Sequence, residues 1–242
     1  MTSLLNKIVW ITGSSRGIGL ASAIALATKG TRLILSSRNE EDLHHAARTV
    51  ASVSGNPIAP LIVTCDITKP ESIKNAWGLI QEQCGGVDIL INNAGIGIFQ
   101  PFVAMTVEEI SLMLDANIRG ALICAQVVMQ HMQERRSGVI MSINSVAALK
   151  AFAGASVYAA SKAALMAANR VIREEVRAHG VKVIDLFVGA TETDIWSPAD
   201  RAEFRSRMMQ PEDVAAAVVS VLELPHRMMP EELVLRPQLG DV

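Results

Sequence analysis

Residues 7–27 read K-I-V-W-I-T-G-S-S-R-G-I-G-L-A-S-A-I-A-L-A, and this stretch decides the fold. Residues 7–11 are a short apolar run, Thr12-Gly13 breaks it, and residues 17–28 are rich in Ala, Leu and Ile at helical spacing. Gly13 permits a tight turn. Gly17 lets the backbone approach a pyrophosphate at the helix amino end, where free N–H groups and the dipole favour anions. Gly19 allows close helix–strand packing. Gly13, Ser15, Arg16, Gly17, Ile18 and Gly19 are therefore the expected dinucleotide cradle. A glycine-rich turn with no ligand is the competing reading, and its placement after a strand and before a helix argues against it.

The pattern repeats outward. Strands are expected at 32–36, 58–64, 87–92, 139–143, 181–188 and 232–235. Helices are expected at 40–53, 70–84, 107–134, 157–178 and 211–222, the second opened by Pro70 near its start. Alternating strands and helices imply a Rossmann-type, doubly wound parallel sheet with right-handed crossovers and helices on both faces. Neither a linker nor an internal repeat divides the chain, so residues 1–242 read as a single domain. Residues 194–210 are the least regular segment and fall where a substrate lid would sit. Ligands of such sheets bind beyond the carboxyl ends of the strands, where strand order reverses.

Composition narrows the partners. Half of the 242 residues are hydrophobic, only 4% are aromatic, and the formal net charge is −2 with no block of like charge. Neither nucleic acid nor an anionic membrane is an expected partner. Cys65, Cys84 and Cys124 are scattered, which reads as buried thiols in a reducing compartment. No metal-ligand spacing appears among the histidines and cysteines. The amino terminus lacks a signal pattern, and no membrane-spanning run is evident, so a cytoplasmic location is expected.

The end of the second strand selects the dinucleotide. An acidic residue there would bind a ribose 2′-OH and repel a 2′-phosphate. The chain instead reads Ser36-Ser37-Arg38-Asn39, with no carboxylate before Glu40. Arg38 can fork onto a phosphate, with Arg16 approaching from the glycine turn, so NADP(H) is the expected cofactor. Asp66, after the third strand, is placed to touch adenine, or to serve as a turn or capping residue. Asn92-Asn93-Ala94-Gly95 ends the fourth strand. Asn93 and Gly95 are expected near the cofactor, and a purely structural role fits Asn92.

Residues 144–162 read N-S-V-A-A-L-K-A-F-A-G-A-S-V-Y-A-A-S-K. Tyr158 and Lys162 are four apart, so a helix stacks them on one face one turn apart. A phenol beside an ammonium is a proton donor with a tuned pKa. Ser145 lies at the end of the fifth strand, where it can face the helix start across a crevice. These three residues are the expected catalytic core.

T-G-x-x-x-G-I-G at 12–19, N-N-A-G at 92–95, Ser145 and Y-A-A-S-K at 158–162 together resemble the short-chain dehydrogenase/reductase family, in order and spacing, to about Leu222. The resemblance implies a seven-stranded sheet, a nicotinamide cofactor and a fourth catalytic residue, Asn117, holding a relay water in a kinked helix. A buried Asn bonded to backbone is the alternative for Asn117. The resemblance also implies that Ser145 hydrogen-bonds a substrate carbonyl, Tyr158 gives it a proton, and Lys162 holds the ribose hydroxyls and biases Tyr158, which by itself leaves the phenol mostly protonated at neutral pH. A homodimer or homotetramer packed through residues 107–134 and 157–178 is implied as well.

The family usually has Pro-Gly after the sixth strand, whereas this chain has Val188-Gly189, which is expected to loosen that turn. Gly189 and Thr193 remain placed for the nicotinamide carboxamide, with Thr191 beside them. Asn144 replaces a frequent serine. The tail, Pro230 onward, looks closer to the sepiapterin reductase and carbonyl reductase branch.

Ala147, Phe152 and Trp196 are the expected substrate contacts beside Ser145 and Tyr158, with Ile96, Phe99, Ala190 and Met208 as further pocket candidates. A mostly apolar pocket with no cluster of Arg or Lys, Lys150 being the one exception and read as a solvated loop charge, suits a small ketone or aldehyde, or the corresponding secondary alcohol. The function expected is hydride transfer between NADP(H) and such a substrate. The alternative is a catalytically silent dinucleotide sensor on the same fold. Arg38→Asp is expected to shift the kcat/KM preference from NADPH toward NADH, measured with one substrate and both cofactors.

Overall fold

The computed structural model describes residues 2–56 and 58–241. Seven strands form one sheet: β1 Ile8–Thr12, β2 Arg32–Ser37, β3 Leu61–Thr64, β4 Ile89–Asn92, β5 Gly138–Ser145, β6 Val181–Val188 and β7 Glu232–Leu235. Their order is β3-β2-β1-β4-β5-β6-β7, and every pairing is parallel. The helices are α1 Gly17–Ala27, α2 Glu40–Ser54, α3 Pro70–Cys84, α4 Val107–Leu114, α5 Ala121–Glu134, α6 Ser156–Val176, α7 Pro198–Phe204 and α8 Pro211–Leu222.

Successive strand residues point to opposite faces. Val9 and Ile11 pack with α1, α2 and α8 on one face. Trp10 packs with α3, α5 and the end of α6 on the other. Both faces are covered, which is why the strands read as continuous apolar runs. Trp10 is fully buried, stacks on Trp77 at 6.5 Å between ring centroids, and donates its indole N–H to Ser36 Oγ at 2.9 Å.

Two elements differ from the sequence expectation. Residues 107–134 are not one regular helix: a π-helical segment, Asp115–Gly120, separates α4 from α5. This whole tract is long and apolar enough to cross a membrane by length and composition, contrary to expectation, but it packs against β4, β5, α3 and α6. The segment 194–210 also contains a helix, α7, because Ser197 caps it by accepting from Asp200 N–H and Pro198 fits its first turn.

Gly120 closes the π segment where a Cβ would collide with the carbonyl oxygen of Ile67. Ile67 is backbone wall, which cannot swing away as a flexible side chain can. Gly120→Ala is expected to lower stability by about 1–3 kcal/mol, read from urea unfolding midpoints at unchanged slope.

Candidate active site

β1 lies between β2 and β4, so the chain leaves β1 on one side and β4 on the other. A cleft of about 1000 Å³ opens at the carboxyl ends of the strands at this point. Its floor is the glycine turn. Gly13 has φ +64°, and a Cβ there would lie 2.8 Å from Ala94 Cα. A Cβ on Gly19 would meet Gly13 O and Asn93 Nδ2, so this glycine sits behind the turn and outside the cleft wall. Asn93 locks the turn to the end of β4: its Nδ2 donates to Thr12 O and Gly13 O, both at 2.9 Å. Asn92 plays the structural part, with Nδ2 donating to Ala121 O at 2.9 Å.

The amino end of α1 carries no capping side chain and no acidic residue in its first turn. Its free N–H groups face the cleft through Gly17 and Ile18, which is the chemistry an anionic diphosphate fits. Ser15, Arg16, Arg38, Asp66, Gly95, Thr191 and Thr193 also line this cleft. Arg38 is exposed at the end of β2 and, among the described residues, has no ion-pair partner; Asp42 lines the same end. Arg16 does not join Arg38. It pairs with Asp194 of the segment after β6, Nη1 to Oδ2 at 3.6 Å. Asp66 is a turn residue, accepting from Thr68 N–H and Oγ–H, while Lys69 takes the N-cap position of α3.

At the other end of the cleft stand Ser145, Tyr158 and Lys162. Ser145 ends β5, and its Oγ accepts from Ala147 N–H at 3.1 Å, leaving its one hydroxyl proton to donate to Tyr158. Tyr158 is half-buried in the first turn of α6. Burial raises its phenol pKa, and a hydrogen bond from Ser145 pulls it back only in part. The expected bias from Lys162 is not among the causes; burial is what keeps the phenol in its acid form. Lys162 is buried one turn on, with Nζ donating to Ile143 O at 2.9 Å and lying 5.9 Å from the Tyr158 ring centroid. Desolvation lowers its pKa to about 8, against the field of Asp185.

Asn117 is held away from the cleft wall. Its Oδ1 accepts from Ile96 N–H and its Nδ2 donates to Ile96 O, each at 2.8 Å, with a further bond to Ser161 Oγ at 3.0 Å. The side chain is thus a backbone clamp, and the kink implied by the resemblance appears as the π segment around it. Ala147, Phe152 and Trp196 line the cleft, as do Ile96, Phe99 and Ala190. Met208 is buried instead, outside that wall. Phe99 meets Tyr158 edge-on at 5.3 Å and stacks on Trp196 at 6.0 Å. Lys150 is paired with Asp241 at 2.9 Å.

The turn after β6 is not loosened by Val188. Gly189 N–H donates to Leu235 O at 2.8 Å, and Thr191 bridges to Met209, so backbone pairing replaces the missing proline. Sequence reasoning missed Asp185 and Arg173, a buried pair at 3.3 Å beneath Ser145; an acid inside an apolar strand run was the available signal.

The fold and this cleft define a dinucleotide-binding oxidoreductase scaffold. The chain belongs to the short chain dehydrogenase family, whose model matches residues 7–203. It is 33% identical over 248 residues to a sepiapterin reductase of Chlorobaculum tepidum, covering 98% of this chain and 99% of that one. An alcohol dehydrogenase from the archaeon Thermococcus sibiricus, solved with 5-hydroxy-NADP, superposes with TM-score 0.88 at 27% identity over 98% of both chains. A 7α-hydroxysteroid dehydrogenase solved with NADH and 7-oxo glycochenodeoxycholic acid gives TM-score 0.89 at 27% identity over 98% of this chain and 95% of that one.

Lys162 provides a test of its own burial. Between about pH 8 and 10.5 the folded ammonium has lost its proton while the unfolded one keeps it, so folding gains stability as pH rises through that window. Lys162→Met removes this dependence. The melting temperature of the variant minus that of the wild type is expected to fall across the window, by differential scanning calorimetry.

Proposed function

We propose that the chain is an NADP(H)-dependent carbonyl reductase and alcohol dehydrogenase for small neutral substrates. The convergence of Ser145, Tyr158 and Lys162 on the same cleft as the uncapped α1 terminus carries this reading. Arg38, free of ion pairs among the described residues, supports the 2′-phosphate preference, and the neighbour solved with 5-hydroxy-NADP agrees with it. Gly13, Ser15, Gly17, Ile18, Asn93 and Gly95 would hold the dinucleotide, Asp66 would lie against its adenine side, and Gly189, Thr191 and Thr193 would meet its nicotinamide side. The bound nicotinamide supplies the hydride.

The chain's own residues handle the oxygen and its proton. Ser145 turns its hydroxyl proton from Tyr158 to the carbonyl oxygen, with one of its lone pairs still engaged by Ala147 N–H. Tyr158 then gives its phenolic proton to the developing alkoxide. Its raised pKa keeps it in the acid form at neutral pH, which is the form reduction requires. Lys162 holds the ribose hydroxyls and places positive charge where the phenolate forms. Asn117 acts through Ile96, keeping the strand end after β4 against the catalytic helix. Phe99, Phe152 and Trp196 exclude water, and among the described residues no Arg or Lys other than Lys162 lines this end, which suits an uncharged ketone or aldehyde. Exposed Phe102, Val103 and Val107, leading into α4, support a homodimer or homotetramer.

Reduction needs the phenol and oxidation the phenolate. Reductase rates are therefore expected to fall and dehydrogenase rates to rise as pH passes the Tyr158 pKa. Tyr158→Phe is expected to lower both by about 10²–10⁴-fold and abolish the opposed trends, with NADPH affinity retained. NADPH oxidation over a ketone and aldehyde panel measures this. Tight NADPH binding without wild-type turnover on any member would favour the sensor instead.

A further inference from the structure

The face of α6 that carries Tyr158 and Lys162 continues into Asn169 and Arg173, all at helical spacing, and lies over β5 and β6. The sheet meets it there with polar residues rather than the usual aliphatic ones. Ser142 and Asp185 are register partners across β5 and β6, and both are fully buried. Asp185 Oδ1 accepts from Asn169 Nδ2 at 2.9 Å and from Asn144 Nδ2 at 3.1 Å, while Oδ2 accepts from Arg173 Nη2 at 3.3 Å. Arg173 is anchored in turn, with Nε donating to Val183 O at 2.7 Å and Nη2 to Glu231 O at 2.9 Å.

A carboxylate only accepts hydrogen bonds, so it forces the Asn144 amide to present its NH₂ side. The amide oxygen is then turned the other way, and it accepts from Ser145 N–H at 2.8 Å. One buried charge thereby fixes the backbone at the residue whose hydroxyl faces the substrate. With neutral groups alone, Asn144 could flip and lose that bond.

We propose that Asp185 is a positioning residue of the active site, orienting Ser145 through Asn144 and serving as the buried counter-charge of Lys162. The second part rests on placement: Lys162 Nζ donates to Ile143 O, the residue between Ser142, the strand partner of Asp185, and Asn144, its hydrogen-bond partner, so the two buried charges meet at the same stretch of β5, and the field of Asp185 supports the ammonium against desolvation. The charged groups facing Asp185 are Arg173, Lys162 and Arg170 from α6, with Glu231 and Glu232 at the start of β7. Arg173 is shared between Asp185 and Glu231 and Glu232, and Arg170 pairs with Glu232, while Lys162 has no ion-pair partner within 4.0 Å among the described residues, so the field of Asp185 acts on it as well.

The proposal deepens the carbonyl reductase reading, and its test separates the two. Asp185→Asn keeps shape and removes charge. In a wild-type enzyme that turns over a ketone, this variant is expected to lose about tenfold or more in kcat with NADPH KM little changed. The exchange Asn144→Asp/Asp185→Asn restores one donor–acceptor pair and one charge, and is expected to recover most of that loss. Equal kcat in Asp185→Asn and wild type, or no recovery in a folded exchange variant, would overturn the positioning role. The counter-charge is read without turnover, from the Lys162 titration by NMR of lysine-labelled protein, assigned against Lys162→Met. Asp185→Asn is expected to move that titration down by about one unit. An unmoved titration overturns the counter-charge role, whether or not any carbonyl is reduced.

Discussion

Everything at this site depends on one close approach: the glycine turn after β1 lies against the strand end after β4. Gly13 rests on Ala94, and Asn93 ties the two with three hydrogen bonds, its own N–H going to Thr12 Oγ1. Parallel strands joined by right-handed crossovers must send chain away on opposite sides where the order reverses. That leaves a crevice between β1 and β4, and the close approach keeps its floor thin and rigid. A side chain at Gly13 would collide with Ala94 and force the turn and the strand end apart.

The two ends of the cleft use opposite electrostatics. At the α1 end, unpaired backbone N–H groups and the exposed Arg38 invite negative charge, and water can still screen them. At the α6 end, Lys162 and Asp185 are withdrawn from water, so their fields act strongly over short distances. Burial there also sets the protonation states: the phenol is held protonated and the ammonium is brought toward neutrality. An exposed α1 end and a buried α6 end follow from where β5, β6 and α6 close over the sheet.

The segment after β6 links both ends. Asp194 reaches back to Arg16 in the glycine turn, while Trp196, two residues on, stacks on Phe99 against Tyr158. The Trp196 indole donates to Thr191 O at 3.0 Å, fixing the ring relative to the turn that Leu235 and Met209 hold. The walls at the α1 end and at the Tyr158 end of the cleft are thus parts of one short stretch of chain.

The sequence alone determined the sheet, its helices and most of the cleft, because those depend on local signals: apolar runs, glycines at fixed offsets, and Tyr158 four residues before Lys162. Helix ends were legible to within a few residues because caps and prolines are local. What it did not reveal were matters of partnership. The π segment arises where Asn117 must reach Ile96 and Gly120 must pass Ile67. Arg16 turned to Asp194, the Val188 turn was secured by β7, and burial rather than Lys162 set the phenol. Asp185 looked like an isolated acid in a strand until β5, β6 and α6 brought Asn144, Asn169 and Arg173 around it. Periodicity fixes which face a residue occupies, whereas a charge acquires its meaning only from the neighbours that tertiary packing places within a few ångströms and from the water it excludes.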